Sequence, residues 1–281
     1  MPEATPEISV VMATFMQDDF AHLRATLESI RTQSFRDFEC LLVLDGPISV
    51  ETHAWLQELV AADPRFRLLP QPENRGAAQA RNVGIASARG RYIAICDADD
   101  LNHSERLEEQ YRHIEETGLD LVGSWYRVID DDGQVIAMRQ VPVTHRGICR
   151  AACCFNPIGN STVLIRTALL QAHPFPTDYR SRELGEDFDL WIQLLAAGYH
   201  MGNLPAYLVD FRMDKQFLRR RSGWRAFRRD WRNKSRAARL WPWWGWPVSH
   251  AAAFATATAR LFPDFLLGWV YALRYRLRFR S

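Results

Sequence analysis

The sequence predicts an α/β fold, with a mostly parallel sheet, flanking helices and a C-terminal helical extension rich in basic and aromatic residues. Three observations support this prediction. Apolar runs typical of strands alternate four times with helical patterns in about the first hundred residues, as in parallel βαβ units. Acidic residues directly follow the fourth of these strands. The composition changes near Arg212, so we predict a body of residues 1–211 and an extension of residues 212–281.

The predicted strands are short apolar runs bounded by turn residues. They comprise residues 8–13, Phe38–Leu44, Phe66–Pro70 and Tyr92–Cys96. Parallel sheets bind ligands at the carboxyl ends of their strands. Because Thr14, Asp45 and Asp97 each follow a strand, we expect one crevice to hold all three.

Helical patterns separate these strands. In the first two helices, apolar residues spaced three or four apart fall on one face. They are Phe20, Leu23, Leu27 and Ile30, then Trp55, Leu56, Leu59 and Val60. The third helix is an Ala-rich segment, residues 77–88, that ends before Gly90.

An antiparallel hairpin is predicted after the fourth strand, from residues 119–129 and 134–138. The Asp130-Asp131-Asp132-Gly133 run that joins them ends in Asp-Gly, which is common in hairpin turns. Residues 188–195 then form a further helical pattern.

Two acidic clusters are the strongest functional signal. The first, Asp97-Ala98-Asp99-Asp100, follows an apolar strand, where crowded carboxylates require a cation. Carboxylates suit hard divalent ions such as Mg²⁺ or Mn²⁺, and Mg²⁺ commonly shares its ligands with substrate phosphates. The second cluster, Glu186-Asp187, opens a helical pattern. A metal–diphosphate site with a separate carboxylate base is suited to moving a sugar off a nucleotide.

The net charge of +2 conceals an asymmetry along the chain. Residues 212–281 carry 17 Lys/Arg against 3 Asp/Glu (+14), whereas residues 1–211 carry 18 against 30 (−12). Such a split indicates an anionic partner for the extension. The five cysteines lack zinc-ligand spacing, and with no secretory signal we expect a reducing cytoplasm. Cys40 and Cys96 lie in strand-like runs and are expected in the core.

Arginines dominate the start of the extension, interleaved with Phe217, Trp224, Phe227 and Trp231. A spanning helix needs roughly twenty unbroken apolar residues, and no stretch of the extension reaches that length. Arginine mixed with tryptophan and phenylalanine is typical of helices lying in an anionic interface. We therefore expect peripheral association with the inner face of a membrane.

Five motifs together resemble the family 2 glycosyltransferases of the bacterial surface-glycan type. They are residues 10–15, Leu44-Asp45-Gly46, Asn74-Arg75-Gly76 through Gly84, Asp97-Ala98-Asp99-Asp100 and Gly185-Glu186-Asp187. Each lies at a predicted strand end or helix start. The resemblance covers the first 211 residues and implies the GT-A fold, whose sheet is Rossmann-like.

The resemblance implies a nucleotide site along the strand ends. Thr14 and Phe15 would line the base pocket, and Asp45 would accept from N3–H of uracil or thymine. Gly76 would allow close backbone approach at a helix N-terminus that favours anions. Arg81 would approach the base or the ribose.

The resemblance also implies the metal and the base. Asp99 would ligate the cation and Asp97 would contact the ribose or the metal shell. For Asp100 the residues themselves suggest a cap of the next helix, because Glu105-Arg106-Leu107 has helical character. Asp187 would deprotonate the acceptor hydroxyl, which suffices for a displacement that inverts configuration. Glu186 would orient the acceptor or support its loop.

Other positions are weaker matches to the family. Residues 156–163 with Arg166 resemble a segment on the acceptor side, and Trp191 lies one helical turn past Asp187, where it would stack on a sugar or join the core. Arg219 or Arg220 would neutralise the diphosphate or face lipid headgroups. The Arg-x-His of many members is absent, because residues 211–214 read Phe-Arg-Met-Asp.

We therefore predict an inverting, metal-dependent transferase that uses a UDP- or dTDP-sugar and a lipid-linked glycan acceptor. Two alternatives stay open. A nucleotidyltransferase shares metal acids and a similar sheet, but would carry a Gly-rich, basic loop after the first strand, which residues 14–18 lack. A non-catalytic protein that grips nucleic acid with its basic tail is disfavoured by the acidic body and by Asp187.

Overall fold

The computed structural model describes residues 5–177, 185–213, 222–241 and 246–261. Within these ranges the strands are β1 (Ile8–Thr14), β2 (Phe38–Leu44), β3 (Phe66–Pro70), β4 (Tyr92–Cys96), β5 (Leu101–Asn102), β6 (Leu121–Ile129), β7 (Val135–Arg139), β8 (Leu164–Arg166) and β9 (Met201–Arg212). The helices are α1 (Phe20–Arg31), α2 (Val50–Ala62), α3 (Ala77–Ser87), α4 (Arg106–Thr117), α5 (His145–Ala152), α6 (Thr167–Ala172), α7 (Glu186–Ala196), α8 (Trp224–Leu240) and α9 (Trp246–Thr258). Short 3₁₀ turns lie at Asn160–Thr162 and Ala259–Leu261.

One sheet runs through the body in the order β3-β2-β1-β4-β8-β6-β9-β5, with β7 paired to β6. The strands β3, β2, β1 and β4 are parallel neighbours, which confirms the four strands and the parallel arrangement predicted from the sequence. The antiparallel strand β8 joins β4 to β6, and β6 pairs in parallel with β9. The β6–β7 hairpin is also as predicted.

The long strand β9 was not predicted, because glycine, asparagine and proline interrupt its sequence at positions 202, 203 and 205. Its pairing with β6 shifts register at Ser124/Trp125 and Trp125/Tyr126, so no simple alternation of side chains survives there. The strand nevertheless ends at Arg212, beside the acids that follow β4. It thereby completes one side of the crevice.

Helix α3 packs tightly on the parallel strands. It begins after Gly76, whose φ of 92° is rare for any other residue. A Cβ at Gly84 would lie 2.5 Å from a Cγ of Val11, so only glycine permits this approach. The close packing holds the middle of α3, including Arg81, against the carboxyl end of the sheet.

Two apolar layers cover the two faces of the sheet. One contains Val10, Met12 and Leu42 with α1 and α2, and the other contains Val11 and Leu41 with α7. Residues that alternate along β1 and β2 thus supply both layers. All five cysteines lie among the described residues as free thiols, and Cys40 and Cys96 are buried as predicted.

Helices α8 and α9 pack against the body and against each other. Ala237 of α8 joins an apolar cluster with Phe188 and Ile192 of α7. Ala238 and Ala253 join another with Cys153. In the ranges given above, no helix has both the length and the apolar character needed to cross a membrane.

Candidate active site

The carboxyl ends of β1, β2 and β4 bring Thr14, Asp45 and Asp97 to one edge of the sheet, as predicted. A fourth residue, Asp18, belongs with them and was missed. Its carboxylate accepts hydrogen bonds from Thr14 Oγ1 at 2.9 Å and from Phe15 N at 3.0 Å. Burial, with repulsion from Asp97 and Asp45, raises the pKa of Asp18. The sequence signal was an acid in the loop after the first strand.

Asp45 is buried and holds the loop that leads into α3. Its two carboxylate oxygens accept from Arg75 N at 2.8 Å and from Gly76 N at 2.9 Å. Gly46 follows with a φ of 85°, and a Cβ there would lie 2.6 Å from Asn74 N. The Leu44-Asp45-Gly46 motif therefore closes against the Asn74-Arg75-Gly76 motif. The predicted contact of Asp45 with a base stays a prediction.

Arg81 joins the two acidic clusters. Its guanidinium donates to Asp97 Oδ1 at 2.7 Å and to Glu186 Oε1 at 3.0 Å, and it lies 5.5 Å from the ring centroid of Phe175. The arginine is buried, with both partners charged, so the ion pairs hold the start of α7 close to the end of β4. The sequence had suggested only a nucleotide contact for Arg81.

Asp100 does not cap the next helix, which corrects the prediction. It is almost fully buried and accepts from Ser161 Oγ and, at 2.8 Å, from Arg212 N. Helix α4 instead begins after Glu105, which makes no side-chain cap. The chain turns inward after β4, and this turn places Asp100 beneath Asp97 and Asp99, where it fixes β9.

Asp99 is exposed as a residue, although its carboxyl is desolvated by surrounding protein atoms. Desolvation, followed by repulsion from Asp97 and Asp18, raises the pKa of Asp99 to about 7. Arg212 offsets part of this, since its Nε donates to the Asp99 carbonyl at 3.0 Å. The side chain of Arg212 is therefore directed at this loop.

The acids at this edge suit a divalent cation. Asp97 and Asp99 supply two carboxylates, and desolvation together with repulsion from Asp97 and Asp18 raises the pKa of Asp99. Among the described residues, no group of three or more His, Cys, Asp or Glu side chains forms a complete protein cage. Mg²⁺ is usually bound by one or two protein carboxylates, and substrate phosphates and water occupy its other coordination positions. The donor set therefore fits a cation shared with a substrate.

Asp187 lies in the first turn of α7 and lines the cleft, where Asn156 Nδ2 donates to its Oδ2 at 2.8 Å. Glu186, its neighbour, is buried and engaged by Arg81. Of the two acids, Asp187 is therefore the one presented to the cleft. Gly185, directly before them, is the N-cap of α7 and has a φ of 111°, which favours glycine.

Residues 156–163 form a scaffold for three acids. Asn156 bonds Asp187, Asn160 Nδ2 lies 3.2 Å from Asp97 Oδ1, and Ser161 bonds Asp100. The segment thus belongs to the site, as the resemblance implied. Arg166 does not: in β8 it pairs with Tyr92 at the amino end of β4, and its Nε lies 3.6 Å from Asp120. Antiparallel β8 carries it to the opposite edge of the sheet.

Trp191 does not stack on a sugar. It is fully buried, 6.1 Å from the ring centroid of Phe175, because it points from α7 into the core beneath the sheet. The alternative that a tryptophan in this helix belongs to the core is therefore correct. Arg219 and Arg220 lie outside the described residues.

A cleft of about 190 Å³ extends from the acids to the C-terminal helices. Its polar lining comes from both the body and the extension. It includes Asp97, Tyr126, Arg139, Asn156, Asn160, Asp187, Arg229, Asp230, Asn233, Lys234 and Arg260. The contribution of α8 was missed because its basic residues were interpreted as lipid-facing. The sequence of α8 shows that one face of the helix is polar, but it does not show which part of the protein that face contacts.

Comparison with known proteins places this geometry in a family. The model of Glycosyl transferase family 2 matches residues 9–174. A glycosyltransferase of Methanocaldococcus jannaschii is 28% identical over 211 residues, which span 74% of this chain and 71% of the relative. The amylovoran biosynthesis glycosyltransferase AmsE of Erwinia amylovora is 26% identical over 217 residues, 77% of this chain and 80% of AmsE.

Solved structures share the fold. Mannosyltransferase PcManGT of Pyrobaculum calidifontis, in complex with GDP-Man and Mn²⁺, superposes with a TM-score of 0.60 at 18% identity, over 98% of this chain and 84% of that one. Residues 1–349 of S. aureus TarS with UDP-GlcNAc give 0.59 at 18% identity, over 90% and 72%. The chain spans 37% of a longer TarS structure.

The predicted GT-A fold is thereby confirmed, and the family match covers more than half of the sequence. It includes β1, α3, the Asp97–Asp100 run and the 156–163 scaffold. The chain belongs to glycosyltransferase family 2.

Proposed function

We propose that the chain transfers a sugar, with inversion, from a nucleoside diphosphate sugar to a glycan acceptor, with a divalent cation at Asp99 and Asp97. One observation carries the proposal. Asp97 and Asp187 line the same cleft, with Asp187 presented from the first turn of α7 and held by Asn156. A cation-binding carboxylate and a separate base on one cleft are what such a displacement requires.

Each group would have one task. Asp187 accepts the proton of the acceptor hydroxyl while the hydroxyl oxygen attacks the anomeric carbon, on the side opposite the leaving diphosphate. The cation, when bound, neutralises charge on that diphosphate. Arg81, Asn160 and Ser161 hold Asp97 and Asp100 in place, so that the acids need not reorganise when the donor binds.

The donor is proposed to be a UDP- or dTDP-sugar, because Asp45 follows β2 where a pyrimidine N3–H would reach its carboxylate. TarS binds UDP-GlcNAc, which supports this choice, while PcManGT binds GDP-Man with Mn²⁺. Thr14 and Phe15 would line the base pocket beside Asp45. The cation would be Mg²⁺ or Mn²⁺.

The acceptor is proposed to be a lipid-linked glycan of a surface polysaccharide, reached from the cytoplasmic side of the membrane. The AmsE relative, named for amylovoran biosynthesis, supports polysaccharide assembly. Helices α8 and α9 expose Trp224, Val248 and Phe254, and the 3₁₀ turn that follows α9 exposes Leu261. The exposed arginines 225, 228 and 239 accompany them on α8. Apolar side chains rimmed by arginine fit an anionic membrane surface better than nucleic acid.

A panel of nucleotide sugars tests the donor. Purified full-length chain should hydrolyse one UDP- or dTDP-sugar slowly, with dependence on Mg²⁺ or Mn²⁺, and a chelator should stop the reaction. Product stereochemistry, read by NMR with a synthetic acceptor, should be inverted. Retained stereochemistry, or turnover in excess chelator, would overturn the mechanism. Release of pyrophosphate from a nucleoside triphosphate would favour a nucleotidyltransferase instead.

A further inference from the structure

The turn after β1 carries a carboxylate that has no task in the proposed reaction. Asp18 N donates to the Phe15 carbonyl at 3.1 Å, and this turn folds the side chain of Asp18 back onto the end of the strand. Its Oδ2 accepts from Thr14 Oγ1 at 2.9 Å and from Phe15 N at 3.0 Å. These contacts fix the Asp18 carboxylate at the end of β1.

The position of β1 in the sheet places Asp18 in the middle of the crevice. Strand β1 pairs with β2 on one side and with β4 on the other. Asp45 follows β2 and Asp97 follows β4, so Asp18 lies at the end of the strand between them. Because neighbouring strands are about 4.8 Å apart, the ends of β2 and β4 are separated by about 10 Å. A ligand that reaches from Asp45 to Asp97 therefore passes over Asp18.

The second oxygen of Asp18 is available to such a ligand. Asp45 receives backbone hydrogen bonds on both carboxylate oxygens, and Asp97 receives side-chain hydrogen bonds on both of its own. By contrast, none of the described residues donates to Oδ1 of Asp18. The residue is partly exposed to solvent, so a hydroxyl of a bound molecule can reach that oxygen. An ionised carboxylate is a stronger acceptor for a hydroxyl than a neutral group.

We propose that Asp18 binds the 2′- and 3′-hydroxyls of the donor ribose and thereby selects a UDP-sugar over a dTDP-sugar. The inference rests on the proposed function, because it assumes that the base lies at Asp45 and the diphosphate at the cation of Asp97 and Asp99. The ribose joins these two parts of the nucleotide and so lies over the end of β1. In dinucleotide-binding sheets an acid likewise accepts from a ribose hydroxyl. A deoxyribose has no 2′-hydroxyl and leaves Oδ1 without that donor.

Calorimetry on the full-length chain with Mn²⁺ at pH 8 tests this role of Asp18. The probes are UDP and 2′-deoxy-UDP, which differ only in the 2′-hydroxyl. UDP should bind about tenfold more tightly or better, because a site built around a substrate hydroxyl rejects the analogue that lacks it. This comparison uses the wild-type chain and depends on no variant.

Asp18→Asn should reduce the preference for UDP to about threefold or less, because a hydrogen bond to a neutral group is weaker than one to a charged group. The amide oxygen can keep the contacts with Thr14 and Phe15, whereas the amide nitrogen replaces the oxygen offered to the ribose. Asp19→Asn is the matched control. It removes the same charge at the neighbouring position, and asparagine caps α1 as well as aspartate does. The control should keep the full preference for UDP.

Equal affinity of the wild type for UDP and 2′-deoxy-UDP would overturn the inference. An Asp18 variant that loses affinity for both probes alike would assign the carboxylate to the cation instead. A variant that melts at a lower temperature but keeps the preference would make Asp18 a brace of the turn, and this result also overturns the inference. A chain that binds GDP instead of UDP, and prefers it to 2′-deoxy-GDP, would overturn the pyrimidine donor but leave the role of Asp18 standing. Binding of none of the four nucleotides would overturn both.

Discussion

At the scale of single residues, the site consists of carboxylates that are each held differently. Asp100 is buried and bonded, Asp97 is paired with Arg81, and Asp187 is held by Asn156 at the cleft. Asp99 is exposed as a residue, but its carboxyl is desolvated by the surrounding protein and repelled by Asp97 and Asp18. These surroundings place chemically identical groups in different environments, because burial and nearby charges act differently on each carboxyl.

Asp187→Asn should lower turnover by roughly 10²–10⁴, the usual contribution of a general base. The amide keeps the shape and the contact with Asn156 but loses basicity, so the affinity for the donor should change little. Steady-state kinetics and UDP calorimetry measure the two effects. Asp132→Asn, in the exposed hairpin turn, is the matched control. Near-normal turnover of the Asp187 variant would move the base elsewhere, with Glu186 the first candidate.

Mn²⁺ should stabilise the chain more at pH 8 than at pH 6, measured as the rise in Tm with UDP present. Asp99, with a pKa of about 7, is mostly protonated at pH 6, so protons compete and the cation should bind about tenfold more weakly there. Without metal, the contribution of Asp99 to stability depends on pH in the opposite direction. A carboxyl whose pKa is raised on folding lowers the free energy of unfolding when the pH is above its unfolded pKa. This destabilisation by Asp99 therefore decreases as the pH falls below 7.

Asp99→Asn is the test of that assignment. The variant should lose most of the rise in Tm that Mn²⁺ produces at pH 8, together with its dependence on pH. Equal stabilisation of the wild type at both pH values, or a full Mn²⁺ effect in the variant, would place the cation at other residues.

At the scale of elements, α8 packs against α7, the helix that carries Asp187. Asp189 of α7 is buried and pairs with Arg232 at 3.2 Å and with Arg236. Asn233 Nδ2 lies 3.4 Å from the Gly185 carbonyl, and a Cβ at Gly185 would lie 2.9 Å from Arg229 Nε. The first helix of the basic extension therefore packs directly behind Glu186-Asp187.

Asp189→Asn should loosen this contact and cost about 1–3 kcal/mol of stability, the usual contribution of a hydrogen bond to a charged group. Because both arginines stay partly hydrated, the lower end is expected. Hydrogen exchange should rise in α7 and α8 while β1 and β4 stay protected. Glu28→Gln, which removes an exposed pair with Arg31, is the control and should change neither helix. Unchanged exchange in α8 would show that apolar packing alone holds it.

At the scale of the whole molecule, an acidic body is joined to a basic extension that has two distinct faces. The inner face of α8 lines the cleft and packs on α7, whereas Trp224 on its outer face is 61% exposed. Helix α9 covers part of α8, with the ring centroid of Phe254 5.3 Å from that of Trp231. Some basic residues of α8 thus contact the body, whereas Arg225, Arg228 and Arg239 of the same helix are exposed.

Membrane binding should depend on the outward apolar side chains. The triple variant Trp224→Ser, Val248→Ser, Leu261→Ser should partition at least tenfold more weakly onto anionic liposomes, since each buried apolar side chain contributes about 1–3 kcal/mol. High salt should release the wild type only partly, because screening acts on charge alone. The double variant Val135→Ser, Ile136→Ser removes equally exposed side chains from the hairpin and should bind normally.

Removal of residues 241–281 should also release the protein, but it takes away α9 and Arg260 as well, so the serine variants are the cleaner test. A wild-type chain that ignores anionic liposomes at low salt, or equal losses in the triple and the hairpin variants, would contradict a membrane role. A gel shift with single-stranded DNA would separate this reading from nucleic-acid binding.

The sequence by itself determined the four parallel strands, the helices between them and the positions of Thr14, Asp45 and Asp97 at the strand ends. These features depend on local periodicity and on the rule that parallel strands end at one edge. The tertiary structure alone decided that Arg81 bridges Asp97 and Glu186, and that Trp191 lies in the core. It also showed that α8 lines the cleft. Each of these depends on which distant segments meet, and no local pattern encodes a partner from another part of the chain.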